Sequence, residues 1–135
     1  MSRARFAEAA PNEGAKTPVK DLDVLLARAW CQETSADPSG WSAENPSWGQ
    51  CAVTALLVQD LLGGELLRSE VRGISHYWNR LPTGEEVDLT CQQFGSSYAL
   101  SEPPEPRSRE YVLSFPETTR RFVLLRARVA APIRT

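Results

Sequence analysis

The chain has 135 residues, the size of one domain, and a net charge of −2. No basic patch stands out except a group of C-terminal arginines, so the composition argues against nucleic acid or an anionic membrane as a partner. No apolar run reaches the ~18 residues needed to cross a bilayer. Three cysteines without a secretory leader predict a reducing, cytoplasmic setting.

The N-terminal part of the chain predicts a leader followed by a helix. Residues 1–20 carry charges of both signs and turn-forming residues, which is typical of a flexible leader, and residues 21–135 then form a single domain. Residues 21–31 predict a helix with one apolar stripe. The stripe consists of Leu22, Leu25, Leu26, Ala29 and Trp30.

A long polar segment, residues 32–48, is predicted to be a loop that folds back over the domain, because it contains Trp41 and Trp48. These two tryptophans, together with Trp78 and Asn79 further along the chain, are candidates for lining a substrate pocket. For the tryptophans, packing in the core or against a loop is the commoner outcome.

The next segment predicts a buried helix over residues 48–62. Ser47 and Gln50 match a capping box at its start, and Gly63 and Gly64 are suited to end it. The body of this helix is apolar on nearly all sides, which indicates that it lies in the middle of the fold.

Three strands are predicted after the buried helix, over residues 65–71, 73–81 and 85–91. The last two are joined by a short turn at residues 82–84, which favours a hairpin. Residues 92–108 predict a proline-rich loop.

The C-terminal part predicts a short strand over residues 111–115 and a final helix over residues 118–130. Phe122, Val123 and Leu125 are expected to face inward, with Val129 a further candidate. The arginines of this helix are assigned to its solvent-exposed face, with anion binding as the alternative: Arg120, Arg121, Arg126 and Arg128. The order of the elements predicts an α+β fold, with a buried helix on a small antiparallel sheet and a C-terminal helix.

Cys51 is the candidate nucleophile, because it lies in the first turn of the predicted buried helix. Unpaired N–H groups and the helix dipole favour a thiolate at that position. Gly49 would let the backbone approach a ligand closely, and Gln50 could donate to an oxyanion, although not while closing the capping box. The alternative is a small buried side chain, the interpretation kept for Cys31 and Cys91.

His76, the chain's single histidine, is the candidate base, and Asp88 is the candidate group that orients it. A turn centred on Pro82 places the two residues directly opposite each other, where Cβ atoms lie ~4.5–5.5 Å apart. The other face of the hairpin would then carry a core set of Ser75, Tyr77, Val87 and Leu89. A shift of one residue leaves His76 and Asp88 in a looser diagonal relation. The alternative is a hydrogen-bonded strand histidine and a solvated carboxylate.

Several short segments together resemble the small bacterial YunG-like proteins. They are residues 48–56, 75–79, 86–90 and 93–94, and the resemblance covers roughly residues 22–94.

More broadly, the order Cys, His, Asp resembles the papain-like and transglutaminase-like cysteine enzymes. That resemblance implies a nucleophile opening a helix packed on an antiparallel sheet. It implies Cys51 as nucleophile, His76 as base and Asp88 as orienter, with Gln50 as a possible oxyanion donor. The small size of the chain favours a small amide, a terminal residue or a side chain over an extended protein substrate.

The sequence therefore predicts a thiol-dependent hydrolase, deamidase or acyltransferase that works through a thioester on a small-molecule or peptide substrate. No CxxC pair, HExxH, GxSxG or glycine-rich phosphate loop occurs, and we expect neither a metal nor another cofactor. Two alternatives stay open: a non-catalytic binding module, and an assembly subunit that uses residues 32–48 and 92–108 as contact surfaces. The oligomeric state also stays open.

Overall fold

The structure, a computed structural model, describes residues 19–95 and 97–131; residues 1–18 of the predicted leader lie outside them, and residues 19 and 20 belong to the first helix. The helices described are α1 (Val19–Ala29), α2 (Cys51–Leu62), α3 (Arg109–Leu113) and α4 (Pro116–Ala130). The strands described are β1 (Glu65–Val71), β2 (Ile74–Arg80), β3 (Glu86–Val87) and β4 (Glu105–Arg107). Two short 3-10 helices lie at Gln32–Thr34 and Cys91–Phe94.

The strands form one antiparallel sheet in the order β3-β2-β1-β4. The central hairpin of β1 and β2 turns at Arg72 and Gly73, both with positive φ (54° and 82°). Two consecutive positive φ values suit the right-handed twist of a two-residue hairpin. This turn fixes the register in which Ser69 lies opposite His76 and Arg68 opposite Tyr77.

Helix α2 is the centre of the core, and its residues 53–58 are all buried. It packs against one face of the sheet through Leu66 and Val87 and against α4 on another side, and α1 packs against α4. Arg109 of α3 forms an ion pair with Asp60 of α2 (2.7 Å), which fixes α3 beside α2. The predicted α+β arrangement of a buried helix on a small antiparallel sheet is confirmed.

Three predictions about the elements are wrong. Helix α2 begins at Cys51 rather than at residue 47 or 48, and the Gln50 side chain does not cap it. The strand predicted over residues 111–115 is instead helical, because Ser108 Oγ accepts the backbone N–H of Tyr111 (3.0 Å) and starts α3. Strand β4 lies in the proline-rich segment that was predicted to be a loop.

The third predicted strand is much shorter than expected and ends at Val87. Asp88 Oδ1 accepts the backbone N–H of Thr90 (3.2 Å), a local turn that competes with strand pairing. Val87 and Leu89 are buried as predicted, whereas Ser75 and Val123 are exposed and do not belong to the core.

None of the helices in the described ranges is long and apolar enough to cross a membrane.

Candidate active site

Cys51 is the first residue of α2 and is only partly buried. The N–H groups of a first helical turn have no acceptor within the helix, and the Gln50 side chain accepts none of them here. Because β3 has only two residues, the outer edge of β2 is open near its start, and the Cys51 thiol donates to the Ser75 carbonyl there (3.7 Å). The sulfur therefore lies at a helix N-terminus, beside the strand that carries His76.

His76 is completely buried on β2, and its two ring nitrogens face different surroundings. Nε2 donates to Oδ2 of Asp88 at 2.6 Å. Nδ1 is buried and has no hydrogen-bond partner among the described residues. The carboxylate thus fixes the tautomer with the proton on Nε2 and leaves Nδ1 as the nitrogen that can accept a proton.

The electrostatics of His76 are dominated by two opposing effects. Burial lowers the pKa of His76, but the hydrogen bond and charge of Asp88, together with the effect of Cys51, outweigh burial and raise it from 6.5 to about 10. The contribution from Cys51 agrees with the position of its sulfur beside β2. His76 is therefore bonded to Asp88 and interacts electrostatically with Cys51.

Asp88 is buried and held by more than the histidine. Its Oδ2 also accepts the hydroxyl of Tyr98 (2.6 Å), and its Oδ1 accepts both the N–H and the hydroxyl of Thr90 (3.2 and 3.4 Å). Several donors hold a carboxylate in one orientation and replace the hydrogen bonds to water that it loses on burial.

The predicted pairing of His76 with Asp88 is wrong, because the centre of the turn is shifted by one residue. The contact between the two side chains still forms. Asn79 pairs with Val87, and the Leu81 N–H donates to the Glu85 carbonyl (2.8 Å), so the turn is centred on Thr83 rather than Pro82. This register makes the pair diagonal. The contact forms because the chain leaves the ladder at Asp88 and the carboxylate is free to reach the ring.

Aromatic side chains enclose the His76 ring. Trp78 stacks on it (centroids 5.5 Å apart), and Phe94 and Tyr98 meet it edge-on at 5.0 and 5.6 Å. These rings shield the hydrogen bond to Asp88 from water, which strengthens it. Trp78 is buried, and its Nε1 donates to Glu86 (2.9 Å), so it supports the histidine and has little surface for the substrate contact predicted from sequence.

Gln50 does not have the oxyanion-donor geometry predicted for it. Its side chain is completely buried, and Nε2 donates to the Cys31 carbonyl (3.0 Å). This bond ties the start of α2 to the segment that follows α1. The other amide atom, Oε1, is buried without a hydrogen-bond partner in the described part of the chain, and an oxygen cannot donate to an oxyanion.

The remaining predicted substrate contacts also have structural partners. Asn79 is buried and donates to the Ala55 carbonyl of α2 (2.9 Å), which leaves no side-chain surface for a substrate. Trp41 donates to the Pro46 carbonyl (2.9 Å) and Trp48 to Asp37 (3.0 Å), and both bonds fold the loop. Gly49 serves close packing rather than ligand approach, because a Cβ there would clash with Ser35 Oγ.

An open pocket of about 400 Å³ is lined by two neighbours of Cys51, Ala52 and Ser75, but not by Cys51 itself or by the predicted substrate contacts. Ala52 follows Cys51 in the chain and Ser75 accepts its thiol, so the two mark the end of the pocket next to the nucleophile. The rest of the lining comes from the sheet face, α3 and the start of α4: Arg68, Tyr77, Arg107, Tyr111, Val112, Phe115 and Thr118.

Arg121 on α4 was predicted to lie on the solvent-exposed face of its helix. It is only partly exposed, and its Nε is buried without a hydrogen-bond partner in the described ranges. Burial and Arg120 lower the pKa of Arg121, whereas Glu117 and a negative charge on Cys51 raise it. A cation without a close carboxylate partner among the described residues therefore lies within electrostatic range of the sulfur.

Comparison with known proteins agrees with the resemblance seen in the sequence. The model of the YunG protein family matches residues 18–134, nearly the whole chain. The chain belongs to the YunG family. It is similar to the Uncharacterized protein YunG of Bacillus subtilis (strain 168), with 33% identity over 94 residues, or 70% of this chain and 78% of that protein. No solved structure matches.

The YunG match spans all three residues of the site. No group of three or more His, Cys, Asp or Glu side chains in the described residues gathers to hold a metal ion.

Proposed function

We propose that this YunG protein is a thiol-dependent acyl-transfer enzyme in which Cys51 forms a thioester with its substrate. The observation that carries the proposal is the 2.6 Å bond between His76 Nε2 and Asp88, which leaves Nδ1 unbonded while Cys51 lies within interaction range. These contacts support Cys51 as the nucleophile, His76 as the base and Asp88 as the carboxylate that orients the base.

The first half-reaction forms the acyl-enzyme. The thiol proton passes to Nδ1 of His76, and the raised pKa of His76, about 10, keeps the ring protonated beside the thiolate near neutral pH. The sulfur attacks the carbonyl carbon of an amide or ester, forming the C–S bond and a tetrahedral oxyanion. The backbone N–H groups of the first turn of α2, including that of Cys51, are the donors available to this oxyanion.

Collapse of the oxyanion breaks the bond to the leaving amine or alcohol, which takes the proton from Nδ1. In the second half-reaction His76 removes a proton from water or an acceptor amine, which attacks the thioester carbonyl. The C–S bond then breaks and the thiol is restored. Water gives hydrolysis or deamidation, and an amine gives acyl transfer; the pocket is open to solvent and admits either.

The arrangement supports placing this chain with the papain-like or transglutaminase-like enzymes. Helix α2 presents the nucleophile at its N-terminus and packs on an antiparallel sheet, with the base on β2 and the carboxylate just after β3. We propose a reduced form of that core. No disulfide joins the three cysteines, all of which lie in the described ranges, and we propose a reducing compartment, the cytoplasm.

The direct test is detection of the acyl-enzyme after mixing with p-nitrophenyl acetate. We expect a burst of p-nitrophenol equal to the enzyme concentration and an acetyl group on the peptide that contains Cys51. The matched control is Cys31→Ser, which removes another partly buried thiol and should leave the burst intact. No burst, or a burst that survives Cys51→Ser, would overturn the proposal and favour a binding module.

A further inference from the structure

We infer that the pocket beside Cys51 binds a carboxylate carried by the substrate, so that the reacting acyl group is a short, negatively charged one. The inference deepens the proposed function and, for the acyl group, rests on it. Binding of a carboxylate in the pocket can be tested without any turnover.

The charge of the pocket lining is the first argument. Arg68 and Arg107 are the charged residues that line it, and no carboxylate side chain belongs to the lining. Leu66 on β1 pairs with Arg107 on β4, so the two arginines are diagonal neighbours on one face of the sheet. Guanidinium groups in this relation suit a planar carboxylate, which accepts two parallel N–H bonds.

The two arginines differ in how firmly they are held. Arg68 Nε donates to Ser75 Oγ (2.9 Å), and its other nitrogens lie 3.4 Å from Glu70 and 3.8 Å from Glu102. Arg68 is therefore fixed, with two carboxylates near its guanidinium group, and we assign it to shaping the pocket wall.

Arg107 has N–H groups that make no hydrogen bond among the described residues. One of its terminal nitrogens, NH1, contacts Glu105 (3.0 Å) and the Pro106 carbonyl (3.1 Å). That glutamate is largely exposed, so water screens its charge. The guanidinium lies over the Tyr111 ring (5.9 Å), which orients it. Arg107 is thus the residue that would contact the ligand.

The shape of the pocket limits the size of the ligand. A volume of about 400 Å³ is at the small end for ligand sites and suits an amino-acid-sized molecule. Tyr111 and Phe115, which pack against each other with ring centroids 5.4 Å apart, supply aromatic surface to the lining. A monoamide or monoester of a short dicarboxylic acid has the required groups: a carboxylate at one end, a short apolar spacer, and the reacting carbonyl at the other.

Ligand binding is tested by thermal unfolding of Cys51→Ser with glutarate, with neutral glutaramide and with inorganic phosphate, all at equal ionic strength. We expect glutarate to raise the Tm with saturation, glutaramide to leave it unchanged, and Arg107→Gln to abolish the shift. Arg80→Gln removes an arginine outside the pocket lining and should keep the shift. No shift with glutarate, or a larger one with phosphate, overturns the carboxylate assignment.

Acylation separates this inference from the proposed function. With the wild-type chain, glutaryl p-nitrophenyl ester should acylate Cys51 about tenfold faster than the butyryl ester, and Arg107→Gln should remove that preference. Equal rates for the two esters overturn the inference and leave the proposed function standing. A rise in Tm with glutarate, without acylation of Cys51 by either ester, would support carboxylate binding and overturn the proposed function.

Discussion

Tyr98 donates its hydroxyl proton to Oδ2 of Asp88 at 2.6 Å, and this is the same oxygen that accepts the His76 ring proton. One carboxylate oxygen therefore joins a side chain from the segment after the second 3-10 helix to the base on β2. We assign Tyr98 as a positioning residue that acts through Asp88.

Replacement of that hydroxyl gives the first prediction. Tyr98→Phe should lower the rate of acylation about tenfold, because Asp88 loses a charge-assisted hydrogen bond worth roughly 1.5–3 kcal/mol. The pH profile of acylation should also shift, since the pKa of His76 depends on its interaction with Asp88. A change in Tm alone, with rate and pH profile unaltered, would show that Tyr98 is structural.

Asp88→Asn tests the orienting carboxylate. An asparagine amide can donate to Nε2, which moves the ring proton to Nδ1 and blocks the nitrogen that must receive the thiol proton. Acylation should fall roughly 100- to 10,000-fold, as when a triad carboxylate is replaced. Glu86→Gln is the matched control, because that carboxylate bonds to Trp78 rather than to the histidine. Equal losses in the two variants would count against the assignment.

The protonation of His76 can be followed directly by NMR, because it is the only histidine in the chain. The imidazole should stay protonated until about pH 10, since the effects of Asp88 and Cys51 on its pKa exceed that of burial. Cys51→Ser should lower the pKa of His76, because the charge on sulfur is lost. A ring that titrates near its ordinary 6.5 in the wild type would contradict this.

The same shift makes stability depend on pH. Above pH 6.5 the unfolded chain loses the imidazole proton, whereas the native state keeps it to about pH 10. The contribution of His76 is therefore fully present below pH 6.5 and is lost as the pH rises to about 10. Urea unfolding of the wild type should show this loss relative to His76→Gln. Parallel pH curves for the two proteins would refute it.

Gln50→Met separates a structural role from an oxyanion role. The bond from Gln50 to the Cys31 carbonyl predicts a loss in the free energy of unfolding of about 1 kcal/mol. The rate of acylation should change little, because the Gln50 amide nitrogen is already bonded to the Cys31 carbonyl. A loss of acylation beyond about 100-fold would restore Gln50 as an oxyanion donor.

The three candidate site residues stand out in the sequence because their chemistry is scarce in this chain. There is one histidine, and the cysteine that opens an apolar helix differs in context from the other two. The register could not be predicted, because it depends on whether the turn is centred on Pro82 or Thr83. Short-range patterns do not resolve a difference of one residue.

The residues around the site were missed because long-range contacts place them. Strand β4 has three residues with a proline in the middle, and pattern alone gives no reason to pair it with β1. The segment before it is anchored by bonds from Ser69 to the Glu102 carbonyl (2.5 Å) and from Ser101 to the Glu70 carbonyl (2.7 Å). These contacts bring Arg107 to the pocket.

Gln50 was misassigned for a related reason. Its position just before the nucleophile favoured both a cap and an oxyanion donor. Burial against the Cys31 carbonyl, a residue nineteen positions away, decides its role instead. Sequence neighbours of a nucleophile can therefore be structural when tertiary hydrogen bonds claim their side chains.

The most direct test of the central claim is peptide-resolved labelling with iodoacetamide near neutral pH, comparing Cys51 with Cys31 in the same sample. Both thiols are partly buried, but only Cys51 lies beside His76. The account predicts that Cys51 reacts many times faster than Cys31, and that His76→Ala removes the advantage while circular dichroism shows the fold retained. Labelling of Cys51 no faster than a model thiol, or unaffected by His76→Ala, would contradict it.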